Sequence, residues 1–406
     1  MEPFGYSKER TAAILKKHDI DLLIATSPVN VSYTTGLPLY QSAENPILLS
    51  LNNMYPHISM IRRGYEGEGT VIHWVLYRSV QRFSWLKDAI GIKSQSDAQT
   101  VLAAKLKEWG LAGKKIGVES TAPKFVLDVL NDPALKLQVV GGDQAFLDMR
   151  VIKTDEEVAL IEKATLITEQ VITKTIAALH EGITDFEIIN TAKKAFLECG
   201  AGGWDHVTMN IGDSDPEAPG IGRAVKKGEI IRLDFGAVYK GYVADVNRHV
   251  VIGDVPPRAK QLVDDLIDLQ HYIEVRVKPG VNMRRLADDA LAYYKESVTD
   301  NFFFLLGQSE KVDLKGLSLE AVNLYNHVIT ENLAFAVAHS IGMQCEEQHL
   351  FGVFESLDVP FEKNMVFEIE AWAIYEGALV GVEDCYVVTD DGCRKMTTQP
   401  KTILSI

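Results

Sequence analysis

Apolar positions in the first part of the chain fall into short runs separated by helically spaced stretches. Residues 8–18 (KERTAAILKKH) carry helical spacing, and residues 21–26 (DLLIAT) form an apolar run that predicts a buried strand, closed by a turn at Ser27-Pro28. Further strand-like runs lie at 46–51, 70–76 and 115–119, with helical stretches at 99–109 and 124–130. Strands alternating with helices predict an α/β domain. Near Arg150 the pattern changes: residues 153–157 (KTDEE) open a long helical stretch, with Thr154 and Glu157 spaced as a capping box, and Thr184 with Glu187 repeats the device after Gly182. Helical spacing returns at 257–277 and 283–297, the second after a Pro279-Gly280 turn; the polar stretch 307–316 reads as a surface loop and 319–332 as another helix. The division is therefore an α/β domain over residues 1–152 and an α+β domain over 153–406.

Two strand pairs in the second domain carry carboxylates where apolar residues are expected. In residues 229–251 (EIIRLDFGAVYKGYVADVNRHVV), Asp234 and Asp245 sit on two apolar runs joined by a short polar turn. A hairpin centred on Tyr239 and Lys240 sets the two aspartates directly opposite each other, with Cβ atoms roughly 5 Å apart. Carboxylates so close repel, so one is protonated or a cation lies between them, and hard oxygen donors suit a divalent metal. The framing residues Ile230, Ile231, Leu233 and Phe235 argue against a solvated pair, because buried carboxylates are rarely left uncompensated. Residues 365–370 (MVFEIE) and 380–388 (VGVEDCYVV) repeat the arrangement: a turn centred on Glu376 and Gly377 sets Glu370 opposite Glu383. His339, after the small-residue run AFAVA and before a turn-like Ser340-Ile341-Gly342, would complete a box of donors. Taken alone His339 also reads as a packed histidine, and strand phase leaves either Glu368 or Glu370 as the inward residue.

Composition narrows the partners. A hydrophobic fraction of 47% with 24% charged residues is that of a soluble globular protein, and no uninterrupted apolar run of about 18 residues predicts a membrane span. The opening MEPFGYSKER lacks the basic-then-apolar order of a secretory signal, which makes the cytoplasm the expected compartment. A formal net charge of −15 disfavours nucleic acid and anionic membrane surfaces as partners. Cys199, Cys345, Cys385 and Cys393 show no CxxC spacing and suggest neither a disulfide framework nor a structural zinc site. His57 and His73 stand isolated in the first domain, which shows no catalytic cluster.

The ordered set LDFG…ADVNR, AHSIG, FEIE and GVEDCYVVTDDG resembles the metal-binding signature of the family that includes methionine aminopeptidase, Xaa-Pro aminopeptidase, prolidase and creatinase, the pita-bread fold. Residues 20–36 and 149–164 resemble, respectively, the opening of a creatinase-type N-terminal domain and its junction with the catalytic domain. The resemblance implies Asp234, Asp245, His339, Glu370 and Glu383 as ligands of two divalent ions, manganese, cobalt, zinc or iron. A water held there would have a lowered pKa, with Glu370 taking its proton. It further implies a hydrolase acting on a dipeptide or other small molecule, and a homodimer in which residues 38–55 reach the neighbouring site. Departures accompany the matches. Family peptidases carry a second histidine seven residues after the ligand histidine; here Glu346 stands there, followed by Glu347. The stretch 212–229 lacks the histidine usual before the first aspartate, and the Glu-Pro-Gly around the fourth ligand is Glu370-Ala371-Trp372. His206 and His349 are the candidates to replace the missing imidazoles. Alternative expectations keep the site and change the reaction, either creatinase-like C–N hydrolysis or a lyase-like elimination with Glu346 or Glu347 as base, or make the chain a non-catalytic binding module.

Overall fold

The computed structural model describes residues 5–38, 57–78, 80–212, 220–297, 303–304, 333–352, 356–376 and 378–406. It divides into two units, Met1–Val151 and Ile152–Ile406. The first contains helices α1 (Lys8–Lys17), α2 (Pro28–Thr35), α3 (Val80–Phe83), α4 (Gln95–Glu108), α5 (Lys124–Leu130) and α6 (Asp143–Arg150). Its strands are β1 (Leu22–Ala25), β2 (Ile58–Arg62), β3 (Thr70–Trp74), β4 (Asp88–Ile92), β5 (Lys115–Val118) and β6 (Gln138–Gly141), in the sheet order β4-β3-β2-β1-β5-β6. The pairing is mixed: β1, β5 and β6 run parallel, while β2 is antiparallel to both β1 and β3.

Leu22, Ile24, Ile58, Ile72 and Ile116 bury one core with Leu102, Leu106 and Val126 of α4 and α5. Ser27-Pro28, expected to close a turn, instead starts α2: the Ser27 side chain accepts the Asn30 N–H and Pro28 occupies the first helical turn, where its missing N–H costs nothing. The strand expected at 46–51 lies outside the described residues, as do the loop at 307–316 and the helix at 319–332. His57 and His73 are both buried, and burial, with His73 close by, pushes the His57 imidazole down to about 4. These are packed neutral rings, and among the described residues no three ligand-type side chains of this unit converge.

The second unit opens with α7 (Asp155–Ala177) and α8 (Asp185–Glu198), both with complete capping boxes, from Thr154 with Glu157 and from Thr184 with Glu187. Its strands are β7 (Gly203–Ile211), β8 (Ile230–Tyr239), β9 (Tyr242–Val243), β10 (Val246–Val251), β11 (Phe303–Phe304), β12 (Leu333–Ser340), β13 (Gln348–Gly352), β14 (Val366–Tyr375), β15 (Ala378–Val388), β16 (Cys393–Lys395) and β17 (Leu404–Ser405); α9 (Pro257–Glu274) and α10 (Met283–Ser297) lie between β10 and β11. One sheet has the order β17-β10-β8-β7 with β9 on β8, the other β11-β12-β14-β15-β16 with β13 on β12.

Strand alternation divides the faces. On β8, Ile231, Leu233 and Phe235 pack against Ile167, Val171, Ile172 and Phe196 of α7 and α8, which turns Arg232, Asp234 and Gly236 to the other face. On β14, the Ile369 carbonyl receives a 2.7 Å hydrogen bond from Gln270 of α9. Arg248 of β10 joins the sheets, donating to Asp384 of β15 at 2.8 Å and to the Glu383 carbonyl at 2.9 Å, with Arg248 and Asp384 both buried. This ion pair sets the two carboxylate hairpins side by side. Among the described residues no helix is long and apolar enough to cross a membrane.

Candidate metal centre

The aspartate hairpin differs from its expected register. Lys240 and Gly241 both take positive φ (52° and 89°), so the two-residue turn lies between Tyr239 and Tyr242, one residue later than expected. Asp234 therefore faces Asn247, and Asp245 lies in the break between β9 and β10, diagonal to Asp234 rather than opposite it. Because the displacement is two positions, both aspartates keep the same face.

The neighbouring strand adds a bulge. Trp204 pairs with Ala237 and Val207 with Phe235, so Asp205 and His206 together face the single residue Gly236. The bulge aims His206 at the aspartates: its Nε2 lies 3.2 Å from Asp245 Oδ1 and 3.6 Å from Asp234 Oδ1. Gly236 is required there, since a Cβ would stand 2.5 Å from both the Ala244 carbonyl oxygen and His206 Cε1.

The glutamate hairpin has the expected register, Glu370 opposite Glu383, with Glu376 at φ 48° in the turn. Glu368 and Glu370, two apart, share one face, and Glu368 stands between His339 and Cys385 in the pairing. His339 Nε2 approaches Glu370 Oε1 at 3.5 Å and Glu383 Oε1 at 3.8 Å. Ligand atoms of Asp245, His339 and Glu383 converge within 4.8 Å, as do those of His206, Asp234 and Asp245. The five residues implied as ligands thus come from both hairpins and β12 to one buried place.

Electrostatics set the two hairpins apart. Burial would raise the Asp234 carboxyl, but the guanidinium of Arg232, ion-paired with it, and His206 hold it well below the usual range. Arg232 is itself buried, donates to Asn210 at 3.2 Å, and lies 4.7 Å from the Trp372 ring centroid. On the glutamate side, burial and then the Asp245 and Asp234 carboxylates push Glu383 up to about 8; burial and Glu383 push both Glu370 and Glu368 well above their ordinary values. His339 and His206 are raised despite burial, chiefly by Glu383 and Asp245 respectively. Asp234 Oδ1 and Asp245 Oδ1 are buried without a hydrogen-bond partner. Convergent carboxylates that raise one another, two unpartnered oxygens and an imidazole are a donor set that fits divalent cations.

The other sequence candidates occupy different places. Glu347, expected as an acid–base group, is consumed structurally: Oε2 meets Lys153 Nζ at 2.8 Å with both side chains buried, and Oε1 accepts the Met343 N–H at 3.0 Å. Glu346 is largely exposed, with His349 Nε2 3.5 Å from it. His349 pairs with His339 across β12 and β13, but its half-exposed ring does not join the convergent groups. Sequence reasoning missed Arg232 and Cys345, and it set Glu368 and Glu370 as alternatives where both face the same side. Arg232 was signalled by lying two residues from Asp234 on a buried strand. Cys345 carried no signal, because its contact is a loop thiol meeting Asp245 Oδ2 at 2.7 Å across 100 residues of chain.

Comparisons with known proteins agree with this architecture. The model of metallopeptidase family M24 matches residues 159–390, and that of the creatinase/prolidase N-terminal domain matches residues 8–152. An Xaa-Pro dipeptidase of Pyrococcus horikoshii is 23% identical over 303 residues, covering 72% of this chain and 75% of its own. An uncharacterized peptidase of Staphylococcus saprophyticus is 24% identical over 97% of this chain and 99% of its own. Among solved structures, a prolidase from Thermococcus sibiricus superposes with a TM-score of 0.76 at 20% identity, covering 98% of each chain. The fold is thus a creatinase-type N-terminal domain followed by a pita-bread catalytic domain.

Proposed function

From the premise that the chain belongs to metallopeptidase family M24 and is a metal-dependent hydrolase, we propose that it cleaves dipeptides or small amides of the Xaa-Pro type at a dinuclear centre held by Asp234, Asp245, His339, Glu370 and Glu383. The observation that carries this reading is the convergence of those side chains, with unpartnered oxygens on Asp234 and Asp245. Two bound divalent ions would supply Lewis acidity, lowering the pKa of a water and polarising a substrate carbonyl. The chain's own residues do the rest. Glu370, opposite Glu383 and 3.5 Å from His339, would accept a proton. Arg232 keeps Asp234 ionised and oriented through a buried ion pair. The acidic surroundings favour a substrate carrying a free amine. The names of the Pyrococcus and Thermococcus relatives support the Xaa-Pro assignment.

A second reading keeps the centre and takes a cationic non-peptide metabolite. The exposed carboxylate of Glu346 favours it, since this position is a histidine in the peptidases the chain resembles. Metal analysis after manganese or cobalt is offered, followed by release of proline from Gly-Pro or Ala-Pro, tests both. Fewer than one metal equivalent per chain sinks either reading, whereas bound metal without proline release favours the metabolite. Glu346→His is expected to raise proline release if that position limits the peptidase reaction.

A further inference from the structure

The donors do not end with the five residues already assigned. Ligand atoms of Asp205, His206 and Cys345 converge within 4.8 Å, and this group shares His206 with the cluster of His206, Asp234 and Asp245. The donors therefore form a continuous row, from Cys345 and His206 through Asp234 and Asp245 to His339 and Glu383. We propose that His206 and Cys345 are a nitrogen and a sulfur ligand at the aspartate end of the metal centre, and that this end selects a borderline-soft divalent ion such as zinc or cobalt over manganese. The inference rests on the metal-centre reading above and extends it to the choice of ion.

Three observations carry it. Asp245, 7% exposed, turns Oδ1 toward His206 Nε2 at 3.2 Å, yet that oxygen has no hydrogen-bond partner. A buried carboxylate oxygen facing a ring nitrogen without a bond between them is a geometry that a shared cation satisfies. Secondly, the far nitrogen of the ring, His206 Nδ1, lies 3.2 Å from Asp205 Oδ2. Donation from Nδ1 fixes the tautomer whose Nε2 lone pair points at the aspartates, the carboxylate–histidine arrangement that orients imidazole ligands on metals. Thirdly, the Cys345 thiol lies on the other oxygen of the same carboxylate, Sγ 2.7 Å from Asp245 Oδ2. Binding would release the thiol proton to solvent and leave a thiolate on the ion.

The two ends then differ in chemistry. Asp245, His339, Glu383 and Glu370 present oxygens and one imidazole, a set that accepts manganese, whereas thiolate with imidazole suits zinc or cobalt. Asp245, common to both clusters, would bridge unlike ions.

Titration of the metal-free full chain with cobalt(II), followed by absorption spectroscopy, tests the assignment. The expected result is a near-ultraviolet thiolate-to-cobalt charge-transfer band that grows with bound cobalt, disappears in Cys345→Ala and persists in Cys199→Ala. Stoichiometric cobalt binding without the band, or a band indifferent to Cys345→Ala, would overturn the sulfur ligand while leaving the metal centre standing. Failure to bind cobalt at all would overturn the metal centre itself and this inference with it. Should Cys345→Ala not fold, alkylation of the wild-type chain read by mass spectrometry decides the matter: zinc is expected to protect Cys345 and not Cys199, and equal labelling with and without zinc overturns the assignment.

Discussion

The aspartate and glutamate hairpins contribute two carboxylates each to one site, yet they solve the problem of buried charge in opposite ways. The aspartate hairpin carries its own compensation: Arg232 is ion-paired to Asp234, and His206 is brought over both aspartates by a bulge. The glutamate hairpin has no side-chain cation of its own facing inward. Its carboxylates are pushed up by burial and by one another, and His339 comes from the adjacent strand. Regular geometry and charge compensation thus trade places. The unbroken ladder holds carboxylates that raise one another, and the broken one holds an ion-paired Asp234 beside two oxygens, Asp234 Oδ1 and Asp245 Oδ1, that have no hydrogen-bond partner. This division teaches that a guanidinium compensates part of the aspartate end before any ion arrives, whereas the glutamate end has only the imidazole of His339.

The sharpest way to break this comparison is to remove one carboxylate from each hairpin and measure the metal-free protein. Asp234→Ala is expected to destabilise it by about 3–5 kcal/mol in urea denaturation, because the buried Arg232 guanidinium loses its carboxylate counter-charge. Glu383→Gln is expected to leave it as stable or more stable at pH 8. Both variants are expected to bind less metal by elemental analysis. Equal destabilisation by the two would refute the contrast.

Acidity provides the next test. A carboxyl raised from 4.5 to about 8, as at Glu383, contributes stability that is present below pH 4.5 and lost as pH rises through 8. The raised histidines, His206 and His339, act in the same sense above 6.5. Asp234, lowered, has the opposite sign: its contribution is present above 3.8 and lost on acidification. Metal-free protein should therefore lose on the order of a few kcal/mol between pH 5 and 8. Saturating divalent metal should abolish the decline in melting experiments across that range.

Two glycines offer a matched pair of smaller perturbations. A Cβ at Gly236 meets His206 and the Ala244 carbonyl, and a Cβ at Gly381 meets the Ala371 carbonyl and Trp372. Each Gly→Ala change is expected to cost about 1–3 kcal/mol as an overpacked position. Calorimetric titration should show the larger loss of metal affinity for Gly236→Ala, whose clash displaces His206. The smallest effect serves as a baseline remote from both hairpins: Thr184→Ala, which removes the cap of α8, should cost about 1 kcal/mol in urea and leave metal binding unchanged.

How far the sequence alone carried depended on whether an interaction was local. The capping boxes and the glutamate register were legible because each rests on residues a few positions apart or on one tight turn. The aspartate register was misread by two positions because Lys240-Gly241, rather than Tyr239-Lys240, takes the two left-handed conformations. The facing of the side chains survived because strand periodicity is two. Glu368 and Glu370 were treated as alternatives although the same periodicity puts both on one face. Contacts across long separations left no local trace: Arg248 with Asp384, Cys345 with Asp245 and Lys153 with Glu347. Glu347, expected as an acid–base group, has a buried ion pair whose partner lies 194 residues away.

The Lys153–Glu347 pair has a mechanical consequence. Lys153 is the second residue of the catalytic unit, and the carboxylate it grips also holds the backbone of Met343. Both side chains are buried, so removing either one would leave the other charge in a desolvated place without its counter-charge. One ammonium and one carboxylate thus tie the segment that opens the catalytic unit to the loop bearing Cys345 and Glu346, so that the chain's entry into the unit anchors the rim of the metal centre.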